Sequence, residues 1–322
     1  MSVPTDTLTP AADQTPPAHR SGRDAAAGGK PPRAGRSGGA GRSRRRPPTE
    51  QGPVARAISF LVLVVGSFAF AYPFLWMIST SLRTRQGVAS GGISLWPIQW
   101  EFSNYSNGLA SFPFWQYLGN SLLSTIIPVV FTVLVSSFVG FAFARIPAPA
   151  AGIVFGIMLS TMLLPGEVTL IPQFILFREL DMMDTLYPII LPALFGSPFY
   201  IFLFRQFYLR LPQSLTDAAI IDGAGWFRTW WSIYLPLSQP IIVAAAVLQF
   251  MGSWNNFLTP AIYLSSDTWK TLPLALAGFT SVNSTDTSLL MATSIVVVAP
   301  CIAIFFFAQK HIVGGISFTG SK

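Results

Sequence analysis

The sequence predicts an all-α integral membrane protein with six transmembrane helices and both termini in the cytoplasm. Three observations lead to that class. First, 51% of the 322 residues are hydrophobic and only 10% are charged, whereas soluble domains carry roughly 25% charged residues. The mean hydropathy of +0.52 points the same way. Second, apolar runs long enough to cross a bilayer, about 20 residues each, recur along the chain. Third, the net charge of +7 is concentrated in one segment.

That segment is residues 1–56, which hold ten of the 20 Lys/Arg and four of the 13 Asp/Glu. The stretch "GGKPPRAGRSGGAGRSRRRPP" is rich in Pro, Gly, Ala, Ser and Arg and has almost nothing to build a core from. A disordered basic cytoplasmic tail is expected. Arg-rich runs bind nucleic acid or anionic lipid in some settings. Beside a first membrane span, the simpler reading is an anchor that sets orientation, and no nucleic-acid partner is expected.

From residue 57 onward the chain reads as one transmembrane domain, 57–322. The expected spans are about 57–79, 121–144, 152–177, 187–204, 241–264 and 289–308. The third is interrupted by Pro165 and Pro172, and the fourth contains Pro188, Pro192 and Pro198. The fifth contains Asn255 and Asn256.

Lys and Arg in short flanks set orientation. With the tail inside, the inner segments hold sixteen Lys/Arg and the outer loops hold four, Arg83, Arg85, Arg178 and Lys270. The opposite orientation reverses that ratio. Both ends are therefore expected in the cytoplasm, and so is the longest inner loop, residues 205–240. An inner loop of that length is often functional.

The loop contains "RLPQSLTDAAIIDGAGWFRTWWSIYLPLSQP". Pro212 ends the preceding helix. Ser214 is placed to cap a new one, with Asp217 three residues on as a weak capping box. A helix over Leu215–Asp222 is expected, ended by Gly223 and Gly225. A second, over Trp226–Tyr234, is expected to stop before Pro236. Two turns of helix are too few to be stable alone. Trp226, Trp230 and Trp231 suit a membrane interface, but Asp217 and Asp222 do not suit an anionic leaflet. A short Ala-rich helix closed by glycine suits close docking into a groove on another protein.

These residues resemble the EAA motif of ABC importer membrane subunits, Glu-Ala-Ala, three residues, Gly, nine residues, then Ile/Leu-x-Leu-Pro. Here Asp217-Ala218-Ala219, Gly223 and Ile233-Tyr234-Leu235-Pro236 stand at that spacing, with Asp in place of the leading Glu. Blocks along the rest of the chain are similar to the second permease of the carbohydrate, maltose-type class. Among them are "YPFLWMISTSLRT", "NSLLSTIIPVVFTVLVSSFVGFAFAR", "WNNFLTPAIYL" and "FAQKHIVGGISFTGSK". The resemblance implies a type I ABC importer permease fold in a bacterial plasma membrane. It implies that Asp217, Ala218, Ala219, Ile220, Asp222, Gly223, Ala224, Leu235 and Pro236, within loop 214–236, couple the permease to ATPase subunits. The other implied partners are a second permease, an extracytoplasmic solute-binding protein and the lipid bilayer. The chain has no G-x-x-x-x-G-K-[ST] phosphate loop. ATP and magnesium are thus expected on the partner ATPases, and this chain is expected to be non-catalytic and to bind no cofactor or metal.

Other readings stay open at this point. One is an ABC permease for a polyol, glycerol phosphate or peptide, and another is an ion-driven secondary transporter. For the substrate pathway the candidates are Glu167, Trp254, Asn255 and Asn256. Glu167 is either a capping group or a pathway carboxylate. The two asparagines either bind hydroxyl-rich ligands or join helices. Trp254 either stacks on a sugar ring or packs in the core. Two stripes of small residues, Ser136/Gly140/Ala144 and Gly152/Gly156/Ser160, predict close helix packing. Cys301 reads as a packed residue.

Overall fold

The computed structural model describes residues 53–90, 96–97, 99–279 and 286–316, with side chains as far as Gln309. The expectation for residues 1–52 of the tail lies outside the described residues. Every regular element among the described residues is helical. α1 (Pro53–Ser81) runs unbroken through Pro73. Two short helices follow, α2 (Arg85–Ala89) and α3 (Ser103–Ala110), before α4 (Phe114–Arg145). α5 (Ala151–Ser160) ends in a 3-10 turn, Thr161–Leu163, ahead of α6 (Gly166–Glu179). α7 (Tyr187–Ile190) continues through a 3-10 stretch, Leu191–Phe195, into α8 (Pro198–Leu209). Beyond lie α9 (Ser214–Ile221), α10 (Trp226–Thr229), a π-helical turn Trp230–Tyr234, α11 (Leu235–Leu237) and α12 (Gln239–Trp254). α13 (Leu258–Tyr263), α14 (Leu272–Ala277) and α15 (Thr287–Ile316) complete the order.

Four helical stretches are long and apolar enough to cross a membrane: Pro53–Ser81, Phe114–Arg145, Tyr187–Leu209 and Thr287–Gln309. Two further stretches qualify only as bent pairs, Ala151–Leu163 with Gly166–Glu179 and Trp226–Leu237 with Gln239–Trp254. Counting each pair as one crossing gives six, the number expected from the sequence.

The bends have local causes. Leu164, which precedes Pro165, is extended at φ −79°, ψ 122°, because the proline ring disfavours the helical conformation at the residue before it. The expected span 152–177 is accordingly broken at Pro165 into two limbs at 97°. Pro172, by contrast, lies inside α6 without breaking it. The expected span 241–264 stops at Trp254. The Asn255 amide donates to the Met251 carbonyl at 2.8 Å, and Asn256 Oδ1 accepts from the Thr259 N–H at 3.2 Å. Both side chains take over backbone partners and so favour termination over continuation. They flank the helix end and do not lie within the span.

α4 packs against α8 and α12, and α12 packs against α15. The α4–α8 contact is closest at Gly140, where a Cβ would lie 2.8 Å from Phe204 Cβ. Ser136 is buried on the same face, so this small-residue stripe does what its spacing predicted. The second stripe has no such neighbour among the described residues of this chain, where nothing lies within 4 Å of a Cβ built at Gly152 or Gly156. Two apolar clusters form. One joins Val133, Phe141, Phe204, Tyr208, Trp230 and Tyr234. The other joins Tyr117, Phe250, Trp254, Leu272, Val297 and Cys301, with Cys301 packed as expected. α1 is apolar but exposed along most of its length, from Val54 to Ile78.

Candidate functional site

The loop after α8 is assembled from backbone geometry first. α9 begins one residue earlier than its sequence predicts, and no side chain caps it. The Gln213 carbonyl accepts from the N–H groups of Thr216 and Asp217 at 2.9 and 3.2 Å, and the Pro212 carbonyl accepts from Leu215 at 3.3 Å. These carbonyls use the first free donors, which leaves no cap for Ser214 to provide. The expected Ser214–Asp217 capping box is absent, and Ser214 is the first helical residue.

The other end matches expectation at one glycine only. Gly223 has φ +74°. The Gly223 N–H donates to the Ile220 carbonyl at 3.0 Å and the Ala224 N–H donates to Ala219 at 2.9 Å. That is a Schellman closure, which needs the left-handed conformation at Gly223. Gly225 does not terminate α9. It precedes α10 in an extended conformation, φ −70°, ψ 164°, open to any residue.

The resulting two-turn helix has two faces. Thr216 and Ala219 are buried. Asp217, Ala218, Ile220, Ile221 and Asp222 face outward, and Ile221 is 85% exposed. An apolar pair between two carboxylates is thus presented to whatever meets this loop. Among the described residues neither Asp217 nor Asp222 forms an ion pair.

Beneath α9 lies a buried polar mount. Thr216 Oγ1 and the Tyr234 hydroxyl are 2.6 Å apart. Trp230 Nε1 donates to Ser137 Oγ at 3.1 Å, and Ser137 Oγ lies 2.6 Å from the Tyr208 hydroxyl. The Tyr208 hydroxyl is also 3.2 Å from Ser238 Oγ, which donates to the Leu235 carbonyl at 2.8 Å. Aromatic packing of Tyr234 on Phe141 at 4.8 Å seals it. Of the three tryptophans, Trp226 and Trp231 are exposed, while Trp230 is 4% exposed and belongs to the core. Its expected interfacial placement is replaced by burial with a satisfied indole N–H.

The helix does not stop before Pro236. It passes through the π turn Trp230–Tyr234 and α11, with Pro236 in the first turn of α11. The wider π turn accommodates a ring that would meet the carbonyl four residues back in a regular α-helix. The bend comes later, at Ser238, where α11 and α12 diverge and the paired limbs make 82°. Leu235 is half-buried and Pro236 exposed.

The candidate pathway residues lie on two elements, the start of α6 and the end of α12. Glu167 is exposed in the first turn of α6, where a carboxylate suits the positive end of the helix dipole. Trp254 is 2% exposed, donates Nε1–H to the Val297 carbonyl at 3.0 Å and stacks on Phe250 at 5.5 Å. Asn255 and Asn256 terminate α12 as described above. Glu167 makes no hydrogen bond with that segment. Sequence reasoning missed the mount: Ser137, Tyr208, Thr216, Tyr234 and Ser238. A visible signal was the density of hydroxyls in an apolar context.

A helical, multi-pass membrane subunit with an exposed two-turn helix on a buried mount between its spans is the class this architecture defines. Residues 133–317 match the family of binding-protein-dependent transport system inner membrane components, and the chain belongs to that family. It is similar to the arabinooligosaccharides transport system permease protein AraQ of Halalkalibacterium halodurans, 34% identical over 80% of this chain and 92% of that protein. The AraQ permease of Bacillus subtilis is 32% identical over 84% of this chain and 95% of its own length. A bacterial ABC transporter involved in import of the acidic polysaccharide alginate shares the fold. Its chain is 21% identical, with a TM-score of 0.72 over 80% of this chain and 96% of that one.

Proposed function

We propose that this chain is one of two permease subunits of a carbohydrate importer, working by alternating access. ATPase subunits dock on α9 from the cytoplasm and carry the ATP and magnesium. An extracytoplasmic solute-binding protein delivers a sugar or oligosaccharide. The observation that carries the reading is α9 itself. Its outer face offers exposed Ile220 and Ile221 between exposed Asp217 and Asp222, neither in an ion pair among the described residues, and its inner face is fixed to the spans. Arg205, Arg210 and Arg228 beside it favour the cytoplasmic side, so both termini lie there. Relatives named for arabinooligosaccharide transport support the sugar class.

The test is Asp222→Lys in the chain co-expressed with its neighbouring transporter genes. Loss of ATPase co-purification with normal membrane insertion is expected. Undiminished co-purification of the ATPase would remove α9 from the docking surface. The sugar class is tested separately by screening the co-encoded binding protein against arabino-, malto- and chito-oligosaccharides, and binding of a peptide instead would sink it.

A further inference from the structure

We infer that Arg145 is a positioning residue that fixes α9 to the ends of α4 and α8, so that displacement of α9 reaches the membrane helices. The inference rests on the docking role proposed for α9. Arg145 is the last residue of α4. One terminal nitrogen, Nη2, donates to the backbone carbonyls of Tyr208 and Leu211. The Tyr208 carbonyl closes the last turn of α8 and also accepts from the Leu211 N–H at 3.1 Å, and the Leu211 carbonyl lies just past the helix end, where the dipole favours a cation. The other, Nη1, donates to Gln213 Oε1, the residue that leads into α9. The guanidinium carbon also lies 5.4 Å from the ring centroid of Tyr234, whose hydroxyl meets Thr216 of α9.

One planar fork thus touches the residue before α9 and the ring beneath it while closing α8. The three hydrogen bonds use the fixed donor fork of arginine and the Tyr234 contact its flat face, a combination lysine does not reproduce. Without it, α9 keeps the Thr216–Tyr234 contact and, through Tyr234, the packing on Phe141 of α4, but loses its direct hydrogen-bonded tie to the ends of α4 and α8. α9 then moves with weaker coupling to α4.

The experiment uses the full transporter purified through this chain, in a Cys301→Ala background. Spin labels at Ser214→Cys, the exposed first residue of α9, and Ala150→Cys report the distance from α9 to the segment after α4. A label at Trp115→Cys reports the opposite end of α4 on addition of MgATP and vanadate. A narrow distance distribution is expected with Arg145, a broad one with Arg145→Gln, and an intermediate one with Arg145→Lys. In Arg145→Gln the MgATP concentration giving half of the Trp115→Cys response rises about tenfold, the scale of a typical coupling energy. Gln213→Ala is the second variant. It removes the α9 contact and leaves the α8 carbonyls paired, and broadens the distribution without lowering the yield of complex. Unchanged width in Arg145→Gln or, should that variant not assemble, in Gln213→Ala overturns the clamp. A complex that lacks any ATPase refutes the docking role, and the distance width still judges the clamp.

Discussion

Thr216 Oγ1 and the Tyr234 hydroxyl face each other at 2.6 Å inside the protein, joining a two-turn helix to the helix after it. Thr216 is on the buried face of α9, and Tyr234 ends a π turn. Neither side chain has another route to water. Removing one hydroxyl therefore strands the other, at a cost of about 1–2 kcal/mol. Thr216→Val and Tyr234→Phe should each lower thermal stability of the purified complex. The double variant should lose less than the sum of the singles, by about 1 kcal/mol of coupling energy. Strict additivity in that cycle would show that the contact carries no energy.

The two glycines after α9 should behave differently. Gly223 has open space around it but φ +74°, so Gly223→Ala strains the backbone by about 1 kcal/mol. Gly225 has open space and an ordinary extended backbone. Gly225→Ala should leave stability and ATPase co-purification at wild-type values. Equal effects at the two positions would contradict the Schellman closure.

A second contrast separates steric from open glycines within helices. A Cβ at Gly140 would lie 2.8 Å from Phe204 Cβ and 3.0 Å from the Ile201 carbonyl oxygen. Gly140→Ala must push α4 and α8 apart, a cost of about 1–3 kcal/mol. Gly156→Ala meets nothing within 4 Å and should stabilise α5 by up to about 1 kcal/mol through helix propensity. Thermal unfolding of both variants in the same detergent reads the difference in sign.

Asp184 should make one loop contact acid-sensitive. Its Oδ1 accepts from the N–H groups of Ser265 and Ser266 at 2.9 Å each. These bonds, that from Ser266 foremost, hold its carboxyl below the usual range. Because the folded pKa is depressed, the stabilisation is complete above about pH 4, the ordinary aspartate value. It disappears as pH falls through the lowered value. Hydrogen exchange at Ser265 and Ser266 should accelerate only at that acid end. Asp184→Asn keeps one accepting oxygen and tolerates the φ of 56°, whereas Asp184→Ala should accelerate exchange at neutral pH. Protection in the alanine variant would mean the carboxylate does not hold this loop.

The six-crossing architecture and the position of α9 were readable because hydrophobic runs and glycine stops act locally. Arg145 and Tyr208 were not readable. Their partners are a backbone carbonyl of Leu211 and the side chain of Ser137, brought near only when α4 and α8 pack. Asn255 and Asn256 looked like polar groups within a span because hydropathy does not register a side chain's competition for backbone partners. Trp230 looked interfacial because tryptophan counts alone do not record which indole N–H finds a buried hydroxyl. Gly156 looked like a packing surface because spacing names a face without naming what faces it.

The right-angled join at Ser238 has a mechanical consequence. One limb, Trp226–Leu237, runs away from α12 at 82°. At 1.5 Å per residue the limbs are about 18 and 24 Å long. A turn of the joined limbs by about 5° about Ser238 sweeps the Trp254 end through about 2 Å. Turned as a rigid unit, such an elbow would be a bell crank, in which a small sideways nudge to one arm becomes travel across the other, nearly at right angles to the first.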